Sequence, residues 1–175
     1  MTVSPHPHGL TAEDLGLDDG IPNVQAGIDR AVDYVRQMAG WHIFPSVEET
    51  LTVDGEGGHV LTLPSLHVTE IHEISQHGTP VDPEGYSWSA SGDVKLDRGS
   101  WTTRWGGITV RLTHGYDPAE IPALIGALAQ AVEIQAMSPL GIPEVIGPYQ
   151  FTREVSGWTG ESGQLLSRYT LPVRA

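Results

Sequence analysis

Cysteine is missing from the chain. That excludes disulfides, a thiolate nucleophile, and cysteine ligands for zinc or an iron–sulfur cluster, and it suits a reducing cytosol. Basic residues are scarce, with 9 Lys and Arg against 22 Asp and Glu and a formal charge of -13. Such a balance opposes binding to nucleic acid or to an anionic membrane as a primary role, although DNA can slide past an acidic wall. No apolar run is long enough to span a bilayer. The stretch Met1 to Gly9 carries Pro and His but no apolar core, so neither a membrane span nor a signal peptide is expected.

The signatures of common chemistries are equally absent. The 8 histidines, at 6, 8, 42, 59, 67, 72, 77 and 114, include no helical His-Glu-x-x-His pair. His67 and His72 differ by five positions and would point to opposite faces of a strand unless a bulge intervened. Gly55-Glu56-Gly57-Gly58 is followed by no Lys-Ser/Thr and no helix, so it is not a phosphate loop. Ser65, Ser75 and Ser138 lack the Gly-x-Ser-x-Gly elbow, and the acidic pair Glu48-Glu49 reads as a solvated loop. We therefore expect no catalytic, cofactor-binding or metal-binding residues, and no enzyme.

What the chain does contain is a sharp strand-to-helix junction between Gly107 and Met137. Ile108, Val110 and Leu112 alternate with Thr109, Arg111 and Thr113, the period of a strand with one buried face. Gly115 and Pro118 close it. A helix follows from Pro122, with Ile121, Ile125, Leu128 and Val132 on one face and alanines on the neighbouring ones. Earlier, Asn23 precedes a second long helix with the stripe Val24, Ile28, Ala31, Val32, Val35, Met38 and Ala39, ended by Gly40, with Trp41 as a core anchor.

Between the helices the sequence is β-rich. Leu51–Val53 and Val60–Leu63 read as a hairpin across the Gly-rich loop, and Tyr86–Trp88 pairs with Val94–Leu96. The strand from Leu66 to Ser75 has no clean parity (Val68 and Ile74 against Ile71), which predicts a bulge or burial on both faces. A chain of 175 residues is one domain of ordinary size, burying about 70% of its unfolded surface. The expected fold is α+β: helices from both sides of the sequence packed with an antiparallel β-rich insert. Its parts are an N-terminal arm with a short helix (1–22), a core domain (23–140) and an extended C-terminal arm (141–175). Pro and Gly break every period in that last arm, yet Tyr149, Phe151, Trp158, Leu165 and Tyr169 stud it as docking anchors, and Glu161 to Tyr169 fits a short helix.

Taken together, these features resemble the head-to-tail connector (adaptor, or head-completion) proteins of tailed bacteriophages, especially those of actinobacteria. The resemblance rests on the order of Val24-x-x-x-Ile28-x-x-Ala31-Val32-x-Tyr34-Val35 with Gly40-Trp41, then Leu51–Gly55, Leu61–Val68 and Thr113–Tyr116. Gly147-Pro148-Tyr149 and Leu165–Tyr169 close the pattern, while the Gly- and Trp-rich stretch from Ser156 to Gly163 departs from it. The resemblance implies a virion protein made in the host cytoplasm and placed at the neck. There it would form a homo-oligomeric ring, commonly a dodecamer, between the portal and the next connector, stopper or tail protein, with genomic DNA passing through and no membrane. Candidate interface residues are Leu128, Val132, Tyr149, Phe151, Trp158, Leu165 and Tyr169. The alternative is a β-rich ligand-binding module that presents Trp88, Trp101 and Trp105 to a carbohydrate or peptide. A metal-dependent hydrolase using the histidines ranks below both.

Overall fold

A computed structural model of the chain describes residues 6–18, 20–137, 144–146, 149–151, 158 and 160–172; side chains at 136–137, 144–146 and 149–151 are outside the description. The protein is α+β and divides into two compact units, Met1–Ala39 with Pro118–Thr170, and Gly40–Asp117 with Leu171–Ala175.

The first unit is built on α1 (Val24–Ala39) and α2 (Pro122–Met137), which pack on each other. The buried stripe of α1 is Gly27, Ile28, Ala31, Val32, Val35, Arg36 and Ala39. Met38, expected in that stripe, is exposed, and Gly27 joins it because the helices approach closely there: a Cβ on Gly27 would lie 3.2 Å from Val132 Cγ1. Ile121, just before α2, is buried, as are Leu124, Leu128, Ala131 and Val132 among the described side chains of the helix. Leu124 thus replaces Ile125 as the core residue of the first turn.

The N-terminal segment folds onto α1. Leu10, Ala12, Leu15 and Leu17 are buried, Gln25 donates to the Leu10 carbonyl (3.1 Å), and Arg36 donates to the His6 carbonyl (2.6 Å). The expected short helix is only a turn. Thr11 donates through its backbone N–H and Oγ1 to Asp14 Oδ2 (2.8 and 2.7 Å), and Gly16 in a left-handed conformation (φ 64) ends it at once. After α2 the chain pairs β8 (Glu144–Ile146) with β9 (Tyr149–Phe151), and α3 (Glu161–Ser167) packs on α1 and α2, burying Leu166.

The second unit holds two sheets around one core. The larger has the order β1 (Val47–Val53), β7 (Ile108–His114), β3 (Val68–Gln76), β4 (Thr79–Pro80); the smaller has β2 (Val60–Thr62), β6 (Asp93–Leu96), β5 (Tyr86–Trp88). Val53, Leu61, Leu63, Val68, Ile74, Val94, Trp101, Ile108, Val110 and Leu112, drawn from both sheets and their connections, form the core.

Two features of this unit correct the sequence reading. The expected hairpin between Leu51–Val53 and Val60–Leu63 does not form: β1 pairs with β7, and β2 with β6. The Gly-rich stretch between them does not turn back on itself but runs beside Thr102–Arg104. Gly55 N donates to the Arg104 carbonyl and Gly57 N to the Thr102 carbonyl (both 3.0 Å), and a Cβ on Gly55 would stand 2.1 Å from the Thr102 carbonyl oxygen. The glycines permit close backbone approach rather than a reversal. Likewise Glu48-Glu49 is not a loop but lies within β1, which begins at Val47.

The expected irregularity of β3 is present. Register shifts at Val68/Glu70 and Ile71/Glu73 set Val68, Ile71 and Ile74 opposite His114, Leu112 and Val110. Three apolar residues spaced by three are thereby matched to a partner spaced by two, which brings all of them to one face. The β5–β6 pairing, Tyr86 to Leu96 and Trp88 to Val94, is as expected.

Candidate functional site

The apolar parity class of β1 is Val47, Glu49, Leu51 and Val53, and that of β7 is Ile108, Val110, Leu112 and His114. One carboxylate and one imidazole thus occupy inward positions on adjacent antiparallel strands, while Glu48 faces outward and receives a bond from Arg111 Nη1 (2.9 Å). His114 Nε2 lies 2.7 Å from Glu49 Oε1 with its side chain 2% exposed, so the ring N–H donates to a largely desolvated carboxylate.

A third group comes from the segment before β1. The His42 ring meets the His114 ring edge-on at 4.3 Å between centroids, and its Nε2 lies 3.0 Å from the Pro45 carbonyl oxygen. One ligand atom each of His42, Glu49 and His114 falls within 4.8 Å of the others.

Aromatic rings enclose the cluster. Trp41 stacks on His114 (6.3 Å), meets His42 edge-on (5.7 Å) and meets Tyr116 (6.1 Å), and Tyr116 in turn stacks on His67 at 4.0 Å. Trp41 is therefore a core anchor, as expected. The turn that follows β7, residues 115–117, is held in place by Gly115 N donating to the His67 carbonyl and Tyr116 N to the Ile43 carbonyl. No motif reveals this triad, because its members come from the two edges of the β-rich section. The legible signal is that Glu49 and His114 sit in the parity class otherwise filled by Val, Leu and Ile.

His67 and His72 have separate roles: His67 stacks on Tyr116, and His72 Nε2 lies 2.8 Å from Thr113 Oγ1. The proposed tryptophan platform is broken, because Trp101 is 2% exposed and belongs to the core, leaving Trp88 (40%) and Trp105 (85%) on the surface.

Of the candidate interface residues, Leu128 and Val132 are buried in the first unit's own core. Trp158 is buried as well and stacks on Tyr34 at 6.2 Å between centroids. Leu165 and Tyr169 are half-buried. Leu165 lines a groove of about 420 Å³ with Ala123, Ala127, Gln130 and Arg168. Tyr149 and Phe151 lie on β9, with side chains outside the described residues. No helix among the described residues is long and apolar enough to cross a membrane.

No protein-family model and no curated protein matches the chain by sequence. Solved structures do match it. A chain in "Neck of native GTA particle computed with C12 symmetry" has a TM-score of 0.60 and 14% identity, over 93% of this chain and 90% of that one. A chain in "Neck of empty GTA particle computed with C6 symmetry" gives 0.55 and 15%, over 99% and 95%. One in "Virion of native gene transfer agent (GTA) particle" gives 0.53 and 15%, over 94% and 82%. This chain therefore has the fold of chains found in the neck of gene transfer agent particles, the head-to-tail region to which its sequence resemblance points.

Proposed function

We propose that this protein is a non-enzymatic structural subunit of the neck of a phage-like particle, forming a ring, commonly a dodecamer, between the portal and the next connector, stopper or tail protein. The observation that carries this reading is the agreement of fold over nearly the full length of both chains in a neck computed with C12 symmetry. The charge of -13 supports it, since DNA traversing an acidic channel is repelled from the wall rather than condensed on it.

A closed ring needs two different, complementary surfaces on each subunit. In this reading the groove beside Leu165, with Ala123 and Ala127 on one wall, receives an element of the neighbouring copy, and Tyr149, Phe151 and Tyr169 are the further candidates for contact with that copy or the portal. Leu128, Val132 and Trp158 act indirectly, by holding the helices that present this surface.

Light scattering after size exclusion, with the protein alone and mixed with its portal, tests the proposal. A complex whose mass corresponds to a full ring of subunits on the portal supports it. A monomer that ignores the portal at micromolar concentrations contradicts it.

A further inference from the structure

The geometry points to His42, Glu49 and His114 as a binding site for a zinc-like transition-metal dication, one that staples the segment before β1 to the end of the β1–β7 pair. The site belongs to the second unit alone and does not depend on the neck reading.

Two imidazoles and a carboxylate are the ligand set that borderline dications favour over magnesium or calcium, which demand more oxygen donors. Zinc binds nitrogen and carboxylate oxygen at about 2.0–2.2 Å, so tetrahedral ligands stand roughly 3.3 Å apart. The 2.7 Å between His114 Nε2 and Glu49 Oε1 is about half an ångström shorter than that, and no pair of ligand atoms in the triad is more than 4.8 Å apart. Small side-chain shifts therefore suffice.

The protons balance as well. A carbonyl can only accept, so in neutral His42 the Pro45 carbonyl places the N–H on Nε2 and the lone pair on Nδ1. Such a bond from the second ring nitrogen to a backbone carbonyl is the usual outer support of a metal-bound histidine. At His114 the ion takes the place of the proton shared with Glu49 and that proton moves to Nδ1, a buried position where its desolvation is offset by the new bond from Nε2 to the metal. The carboxylate leaves one positive charge on the occupied site, and Glu49, whose side chain is 15% exposed, marks the way in from solvent. Trp41, buried and packed against both imidazoles, shields the cluster from water.

Metal-stripped full-length protein titrated with zinc chloride provides the test, read by calorimetry and by thermal melting. One zinc per chain is expected. At a hundredfold excess over Kd, the melting temperature rises by about 5 to 10 °C, whereas magnesium leaves it unchanged. Cobalt should give the visible bands of a low-coordinate nitrogen–oxygen site.

Glu49→Gln keeps an acceptor for His114 and so folds, but it and His42→Gln each lower the zinc affinity at least tenfold. His59→Gln, at an exposed histidine outside the cluster, leaves it unchanged. Two results overturn the proposal. One is the absence of any zinc-dependent shift in the parent protein. The other is a shift that survives in Glu49→Gln but is lost in His59→Gln, which would put the metal on surface histidines.

Discussion

Replacing Gly115 by alanine should be among the most damaging single-methyl changes available to this protein. The backbone at Gly115 has φ +98, where an L side chain is strained by about 1–3 kcal/mol. A Cβ would also stand 2.5 Å from His42 Nε2, 2.6 Å from the Pro45 carbonyl oxygen and 3.2 Å from the Ile43 carbonyl oxygen. Two of these are backbone atoms, and the third belongs to a buried ring already bonded to Pro45. The loop cannot retreat either, because Gly115 N and Tyr116 N bond to His67 and Ile43 at 2.8 and 2.7 Å. Overpacking of this kind costs a further 1–3 kcal/mol or so, giving about 2–6 kcal/mol in all. For 175 residues that lowers the melting temperature by roughly 5 to 20 °C. Gly99 is the control: it has φ +80 but nothing within 4 Å of the added carbon, so Gly99→Ala carries the strain without the clash. Calorimetry of the two variants side by side measures the difference. If they melt together, Gly115 does not pack against His42 and Pro45.

Leu128→Asp should abolish folding of the first unit, because it places an unpaired carboxylate where the side chain is 1% exposed, whereas Leu128→Ala should cost about 2–5 kcal/mol; circular dichroism and urea melts distinguish the two. Trp158→Ala should destabilise by about 3 kcal/mol through loss of its buried contact with Tyr34, and a chain truncated after Gly141 should lose at least as much; an unchanged urea midpoint in either would show that the segment contributes nothing to the fold. Asp29 is held below its ordinary value of 3.8 chiefly by the bond from Gln25 and secondarily by His8. Its folded pKa being the lower one, its contribution is complete above 3.8 and disappears as pH falls through the folded value. Asp29→Asn should therefore be slightly less stable than the parent at neutral pH and equal to it in strong acid, and a gap that widened on acidification would reverse the assignment.

The helices were legible because each carries a strong period. Pro122 opened α2 where expected, while its core face was displaced by one residue because Leu124 and Ile125 serve the pattern equally well until α1 is known to lie against Leu124's side. Local strand pairs such as Tyr86–Trp88 with Val94–Leu96 were legible for the same reason: a short turn connects them. The partner of β1 was not legible, since β7 lies more than fifty residues away and the Gly-rich stretch imitates a hairpin loop while serving close approach to Thr102. The candidate metal ligands were hidden by that same error. Once Leu51 is paired with Val110, Glu49 and His114 fall on one face, whereas with Leu51 in a hairpin to Val60 they have no relation.

Whether the chain is a ring-forming neck subunit is decided by electron cryomicroscopy of the particle that carries it. The expected result is density for a ring of this fold at the head-to-tail junction, resolved with the twelvefold symmetry of the neck whose fold it shares, with the groove beside Leu165 covered by a neighbouring copy. Particles whose necks are complete without this chain, or in which it occurs as single copies elsewhere on the surface, would contradict it.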